Sequence, residues 1–237
     1  MPQPTVVGNP PILAVERCSL GFTRRHGLPA SVYVLEGIWD KPVEVPQVLP
    51  YMHAYQASHR EVSVFHRTIR TQEDLSYYLG KIPKGARSFV YIACHGEVGW
   101  LDPSDKANRI PMEGVCAALK TAKEESISFL HFGCCEFLQP TDATRRNYLS
   151  EFLSGINGGH WVSGYTRDID WLSSTLLDLA LISEVYVPWW KKPTHLAMAR
   201  KRAEKFVASY EQLARSLGFS ALARFGDAEY LIPQRLR

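Results

Sequence analysis

The sequence predicts a three-layer α/β/α sandwich built on a mostly parallel sheet, with a helical extension at its C-terminal end. Three observations predict it. Segments that read as strands alternate with segments of about ten residues that read as helices, and such alternation requires parallel crossovers. The strand segments are almost unbroken apolar runs, the pattern of strands covered on both faces. At 237 residues, with 46% hydrophobic, 11% aromatic and 22% charged positions, the chain is long enough to bury a large core. That composition excludes a disordered, collagen-like or disulfide-stapled class.

Residues 1–30 read as an irregular segment, punctuated by prolines at 2, 4, 10 and 11 and closed by Gly27 and Pro29. Within it, Pro11-Ile-Leu-Ala-Val15 is a candidate edge strand. The regular alternation occupies residues 31–190, one domain. Ser31-Val-Tyr-Val-Leu35 is its first strand, and a helix opened by Pro46 runs to Ser58. Val62 to Ile69 is the next strand. Thr71 with Asp74 makes a capping-box pattern for the following helix, and Gly80 is placed to stop it. Ser88-Phe-Val-Tyr-Ile-Ala93 is an apolar strand, whereas Trp100 to Arg109, rich in Asp, Pro, Ser and Asn, reads as a loop. Pro111 opens a helix with Val115, Ala118 and Leu119 on one face. Ile127 to Phe132 is a buried strand, Ala143 to Leu153 a helix, His160 to Tyr165 a strand and Trp171 to Ile182 a helix.

Residues 191–237 differ in composition. Thr194 is a good N-cap and Gly218 sits where a C′ glycine belongs. Between them Leu196, Ala199, Ala203, Phe206, Tyr210, Leu213 and Leu217 recur at three-to-four spacing and predict one amphipathic helix. Arg200, Lys201, Arg202 and Lys205 make its other faces basic, as a solvated surface or as a dock for an acidic partner. Ser220 to Ile232, with Gly226-Asp227 in the middle, reads as a hairpin packed on the core.

With 27 Lys and Arg against 24 Asp and Glu, the net charge of +3 is too small to predict direct binding of nucleic acid. Met1 to Ile12 lacks the basic and apolar regions of a secretory signal, and no apolar stretch approaches the roughly 20 residues of a membrane span. The five cysteines (Cys18, Cys94, Cys116, Cys134, Cys135) are odd in number and two are adjacent. The expectation is a soluble cytoplasmic protein with reduced thiols.

In a parallel sheet, function collects at the carboxyl ends of strands. Two strand ends carry unusual residues: Ala93-Cys94-His95-Gly96-Glu97 and Phe132-Gly133-Cys134-Cys135-Glu136. His95 and Cys135 lie 40 residues apart, about one strand–helix–strand unit. If the two strands are neighbours, an imidazole and a thiol emerge side by side. The imidazole can take the thiol proton and later protonate a leaving amine. Gly96 lets backbone approach a substrate carbonyl, and its N–H with that of Cys135 would hold an oxyanion. A zinc site from Cys94, His95, Cys134 and Cys135 is disfavoured, because neighbouring side chains on a strand diverge. No metal or organic cofactor is expected. Cys94 and Cys134 are assigned to packing, and His131, inside its strand, to structure.

Val90-Tyr-Ile-Ala-Cys-His-Gly96 and Leu130-His-Phe-Gly-Cys-Cys-Glu136 together resemble the histidine and cysteine strands of the caspase-like (clan CD) cysteine peptidases, most closely the bacterial CHAT-domain branch. The resemblance runs from Ser31 to Ile182 and includes Arg109 to Leu119, similar to the family's short strand and helix, and Trp161 to Asp170, similar to its strand and acidic turn. It implies a thiol endopeptidase with His95 as general base and Cys135 as nucleophile. Cys134 stands at the small residue before the nucleophile and is the alternative to it. Phe137-Leu138 departs from the small or polar residues that often follow. The resemblance further implies a protein substrate, a regulatory or sensor subunit, and a place in bacterial antiviral defence or signalling. Asp168 and Asp170 have two readings: a pocket favouring a basic residue before the scissile bond, or, for Asp170, an N-cap with Ser173 three positions on. The alternative to an enzyme is a catalytically silent caspase-like scaffold that binds a protein partner.

Overall fold

The computed structural model describes residues 29–39, 47–104, 106–139, 142–192, 196–225 and 229–232. The irregular segment 1–30, apart from its last two residues, lies outside them. So do the helix start at Pro46, the N-cap Thr194 and the turn Gly226-Asp227.

The protein is mixed α/β with a mostly parallel sheet. Strand β1 (Ala30–Glu36) leads to helix α1 (Leu49–Ser58), β2 (Val62–Thr68), α2 (Gln72–Lys81) and β3 (Ser88–Ala93). Three short strands follow, β4 (His95–Glu97), β5 (Trp100–Asp102) and β6 (Ile110–Pro111), then α3 (Met112–Leu119), β7 (Ile127–Gly133), α4 (Asp142–Gly155), β8 (Trp161–Tyr165) and α5 (Trp171–Leu181). A π-helical turn, Ile182–Tyr186, passes into α6 (Val187–Lys191); α7 (Leu196–Ser209), α8 (Glu211–Leu217), β9 (Phe219–Arg224) and β10 (Glu229–Ile232) complete the chain.

The main sheet has the order β10-β9-β8-β7-β3-β1-β2. From β2 to β8 neighbouring strands are parallel, and β9 and β10 continue the sheet antiparallel. The chain first moves outward from β1 to β2, then returns across β1 to β3 and proceeds the other way. The strand order therefore reverses between β1 and β3, the position where open α/β sheets form a crevice beyond the strand ends.

Alternation along each strand divides the buried residues between two clusters. Val32, Val34, Phe89, Tyr91, Phe129, Trp161 and Tyr165 share one with Met52 of α1 and Leu177 of α5. Val90, Ile92, Leu130, Phe132 and Val162 share the other with Leu75 of α2, Val115 of α3 and Phe152 of α4. Burying a large apolar side chain of this kind contributes roughly 1.5–3 kcal/mol, so both faces of the strands are anchored.

Three expectations change. Helix α2 has the capping box, with Thr71 Oγ1 accepting from the Asp74 N–H at 3.2 Å, but Gly80 lies inside its last turn and the helix ends at Ile82, ahead of Pro83. Trp100 to Arg109, expected as loop, opens with a strand: β5 lies between β4 and β6 in a second, antiparallel sheet. Leu101 and Ile110 are fully buried there, and Arg109 joins Glu97 to Asp102. The long helix predicted over 194–217 is broken at Tyr210, which leaves helical geometry (φ −113°, ψ 23°) and donates its hydroxyl to Glu184 at 2.6 Å. Gly218 does close the second piece, at φ 65°; a side chain there would strike Thr166 and the Arg167 side chain. Among the described residues no helix is long and apolar enough to cross a membrane.

Candidate active site

β3 and β7 are neighbouring parallel strands, with Ala93 opposite Gly133. The next residues, Cys94 and Cys134, point into the core with their sulfurs 3.6 Å apart, both buried. One position further stand His95, the first residue of β4, and Cys135, just beyond β7. His95 is exposed and Cys135 partly exposed. Between the two strand ends the backbones are in close contact: a Cβ on Gly96 would overlap the Cys135 carbonyl and stand 3.0 Å from the Cys134 Cβ. Only glycine fits at position 96.

The imidazole of His95 is held by a group that sequence reading did not single out. Its Nε2 lies 2.8 Å from the main-chain oxygen of Trp39, in the segment that leaves β1. A carbonyl oxygen only accepts, so Nε2 carries a proton, and in the neutral form of such a ring Nδ1 is the basic nitrogen. The Trp39 indole meets the His95 ring edge-on at 5.1 Å and the Trp171 indole, at the start of α5, at 4.8 Å. The contact between β1 and β3 thus sits at the strand-order reversal. The only signal for it in the sequence is an apolar strand ending in Glu36-Gly37 with a tryptophan two residues on.

The Cys135 thiol is pushed up to about 11, chiefly by burial. The Ile169 backbone N–H works the other way, and the nearby Asp168 carboxylate raises it again. The approach of that loop is fixed by main-chain bonds: the Glu136 N–H donates to the Arg167 carbonyl at 2.9 Å and the Leu138 N–H to the Tyr165 carbonyl at 3.0 Å. Glu136 takes a left-handed conformation, φ 52°, which turns the chain sharply after Cys135. Phe137 and Leu138 are fully buried in the core and do not line the cleft.

The carboxylates of β4, β5 and the loop before α5 are differently engaged. Glu97 and Asp102 pair with Arg109. Asp170 caps α5 by accepting from the Ser173 N–H at 2.8 Å, and hydrogen bonds from Ser173 hold its carboxyl below the usual range. Of these, Asp168 is the one whose charge acts on the Cys135 thiol, raising it. The structure therefore brings together the neighbourhoods of His95, Gly96, Cys135 and Asp168, and sets Asp170 at the helix start. His131 is fully buried: its Nδ1 meets the Ser163 hydroxyl at 2.7 Å, and its Nε2 lies 2.7 Å from Asp178, outside hydrogen-bond alignment. Among the described residues no cluster of three His, Cys, Asp or Glu side chains is placed to hold a metal ion.

No protein-family model matches the sequence, and no curated protein matches it.

Proposed function

We propose that the protein is a cytoplasmic caspase-like, CHAT-type cysteine endopeptidase, with the core arranged as a three-layer α/β/α sandwich. The observation that supports it most is the shared register of His95 and Cys135, each two residues beyond a matched pair on adjacent parallel strands. The Nε2–H tautomer, set by the Trp39 carbonyl, leaves Nδ1 to accept the Cys135 proton. The thiolate adds to the peptide carbonyl carbon, and the oxyanion takes the N–H groups of Gly96 and Cys135. The imidazolium returns its proton to the departing amine as the C–N bond breaks. His95 then deprotonates a water that attacks the thioester, and the thiolate leaves and is reprotonated.

Asp168, exposed and beside the thiol, with Asp170 two residues on, favours a basic residue before the scissile bond through charge-assisted pairing. The substrate is a protein. A thiol held near 11 by its surroundings is a resting nucleophile, which fits control by a regulatory or sensor subunit, as in a bacterial defence or signalling system. The same observation favours the second reading, a silent scaffold acting as an interaction module.

Mass-spectrometric mapping of new protein N-termini separates the two. Lysates receiving the wild-type chain should show cleavages after Arg or Lys that are absent with Cys135→Ala or His95→Ala. Equal cleavage by a folded Cys135→Ala protein overturns the peptidase reading, and loss of cleavage in Cys134→Ala alone moves the nucleophile by one residue.

A further inference from the structure

We propose that Glu36 is a positioning residue for His95, acting through Trp39. The proposal deepens the reading of His95 as general base and rests on it for its functional meaning. Glu36 is the last residue of β1, at the strand-order reversal, and its side chain is only 1% exposed. A carboxylate in such a place is tolerated only when donors surround it, and here they do. Oε1 accepts from the Trp39 indole N–H at 2.8 Å and from the backbone N–H groups of Gln47 at 2.6 Å and Val48 at 2.8 Å. Oε2 takes His66 Nε2 at 2.8 Å.

Three of these four donors belong to the connection between β1 and α1. One carboxylate oxygen therefore fastens both ends of that connection, the departing end through Trp39 and the returning end through the residues just before α1. The main chain adds two more ties: the Gly37 N–H donates to the Ala93 carbonyl at 2.8 Å, and the Ile38 N–H to the Pro103 carbonyl at 2.6 Å. Trp39 is thereby held by its backbone on one side and its indole on the other. Its carbonyl fixes the His95 proton and its ring edge meets the imidazole. A general base is effective when one nitrogen is reliably unprotonated and aimed at the nucleophile. Glu36 supplies that reliability without touching the imidazole.

A residue that merely supported the fold would lower stability and leave the tautomer of His95 alone. The test is therefore nitrogen NMR of the full chain with labelled imidazoles, in which a protonated and an unprotonated ring nitrogen resonate far apart. Wild type should give His95 as the single Nε2–H tautomer. Glu36→Ala should lose it, the two nitrogens moving toward a common averaged shift. Glu36→Gln should restore it, because the amide oxygen still accepts the three bonds made by Oε1. Trp39→Phe, which deletes the indole donor and keeps the carbonyl, gives a second variant should Glu36→Ala not fold, and it too should show averaging. Wild-type His95 shifts in a folded Glu36→Ala or Trp39→Phe protein overturn the proposal. The measurement needs no substrate, so its failure is distinct from failure of the peptidase reading, which Cys135→Ala cleavage decides.

Discussion

The Asp168 carboxylate lies beside the Cys135 thiol, and its charge adds to burial in holding that thiol above its ordinary range. This proximity stabilises the thiol against the thiolate, because ionisation would set two negative charges side by side. On the proposed peptidase reading, a substrate Arg or Lys pairing with Asp168 would neutralise that charge and ease ionisation of the thiol.

Removing the charge should therefore waken the thiol. Asp168→Asn is expected to lower the Cys135 pKa from about 11 and to raise its alkylation by iodoacetamide at pH 7.5 by roughly threefold to tenfold, the gain in thiolate being partly offset by lower intrinsic nucleophilicity. Because the folded value lies above the ordinary thiol value of 9.0, the wild-type rate should still be climbing where a free cysteine has levelled off. Peptide-resolved alkylation kinetics measure both. An unchanged or slower rate in Asp168→Asn sinks the coupling.

Beneath the same face of the sheet, Asp178 of α5 draws together the strands that carry His95 and Cys135. The Tyr91 hydroxyl donates to Asp178 Oδ2 at 2.6 Å, the Tyr165 hydroxyl donates to Oδ1, and His131 Nε2 lies 2.7 Å away. His131 in turn meets Ser163, whose oxygen also accepts from the Trp161 indole at 2.7 Å. Every member is at most 1% exposed, and burial with the Asp178 charge pushes both tyrosines well above their ordinary range. In such a place an orphaned group is costly. Tyr91→Phe should destabilise by about 1–3 kcal/mol and Asp178→Ala by about 3–5 kcal/mol. The double variant should lose less than the sum. Urea denaturation of the four proteins measures this, and simple additivity sinks the idea of one network.

Much of the fold was legible because burial dictates it. Val90-Tyr-Ile-Ala93 and Leu130-His-Phe-Gly133 are apolar because both faces are covered, and such runs announce themselves. The small sheet was not legible, since Trp100–Asp102 and Ile110–Pro111 are too short to show a period and depend on Leu101 and Ile110 reaching the core. The break at Tyr210 has no local signal, and the partner of its hydroxyl, Glu184, lies 26 residues away. At the candidate site, strand ends pointed to His95 and Cys135, but Trp39 contributes a main-chain carbonyl, which has no residue letter. Glu36 was masked by the apolar strand it terminates.

The acid limb of stability should report on Glu36. Burial alone would raise its carboxyl, yet hydrogen bonds from His66, Val48, Trp39 and Gln47 outweigh that and hold it below the ordinary 4.5. A group with a depressed folded value binds its proton more weakly in the folded state than in the unfolded state. Its contribution is therefore complete above the unfolded value and disappears as the pH falls through the lower, folded one. Glu36→Gln keeps the accepting oxygen and removes the charge, so the stability gap between wild type and variant should close as the pH falls below about 4, where the carboxylate, partnered by His66 on Oε2, takes up its proton. Thermal denaturation at half-unit pH steps follows the gap directly. A gap that persists undiminished below about pH 3 would show that the native carboxylate is not favoured by its four donors.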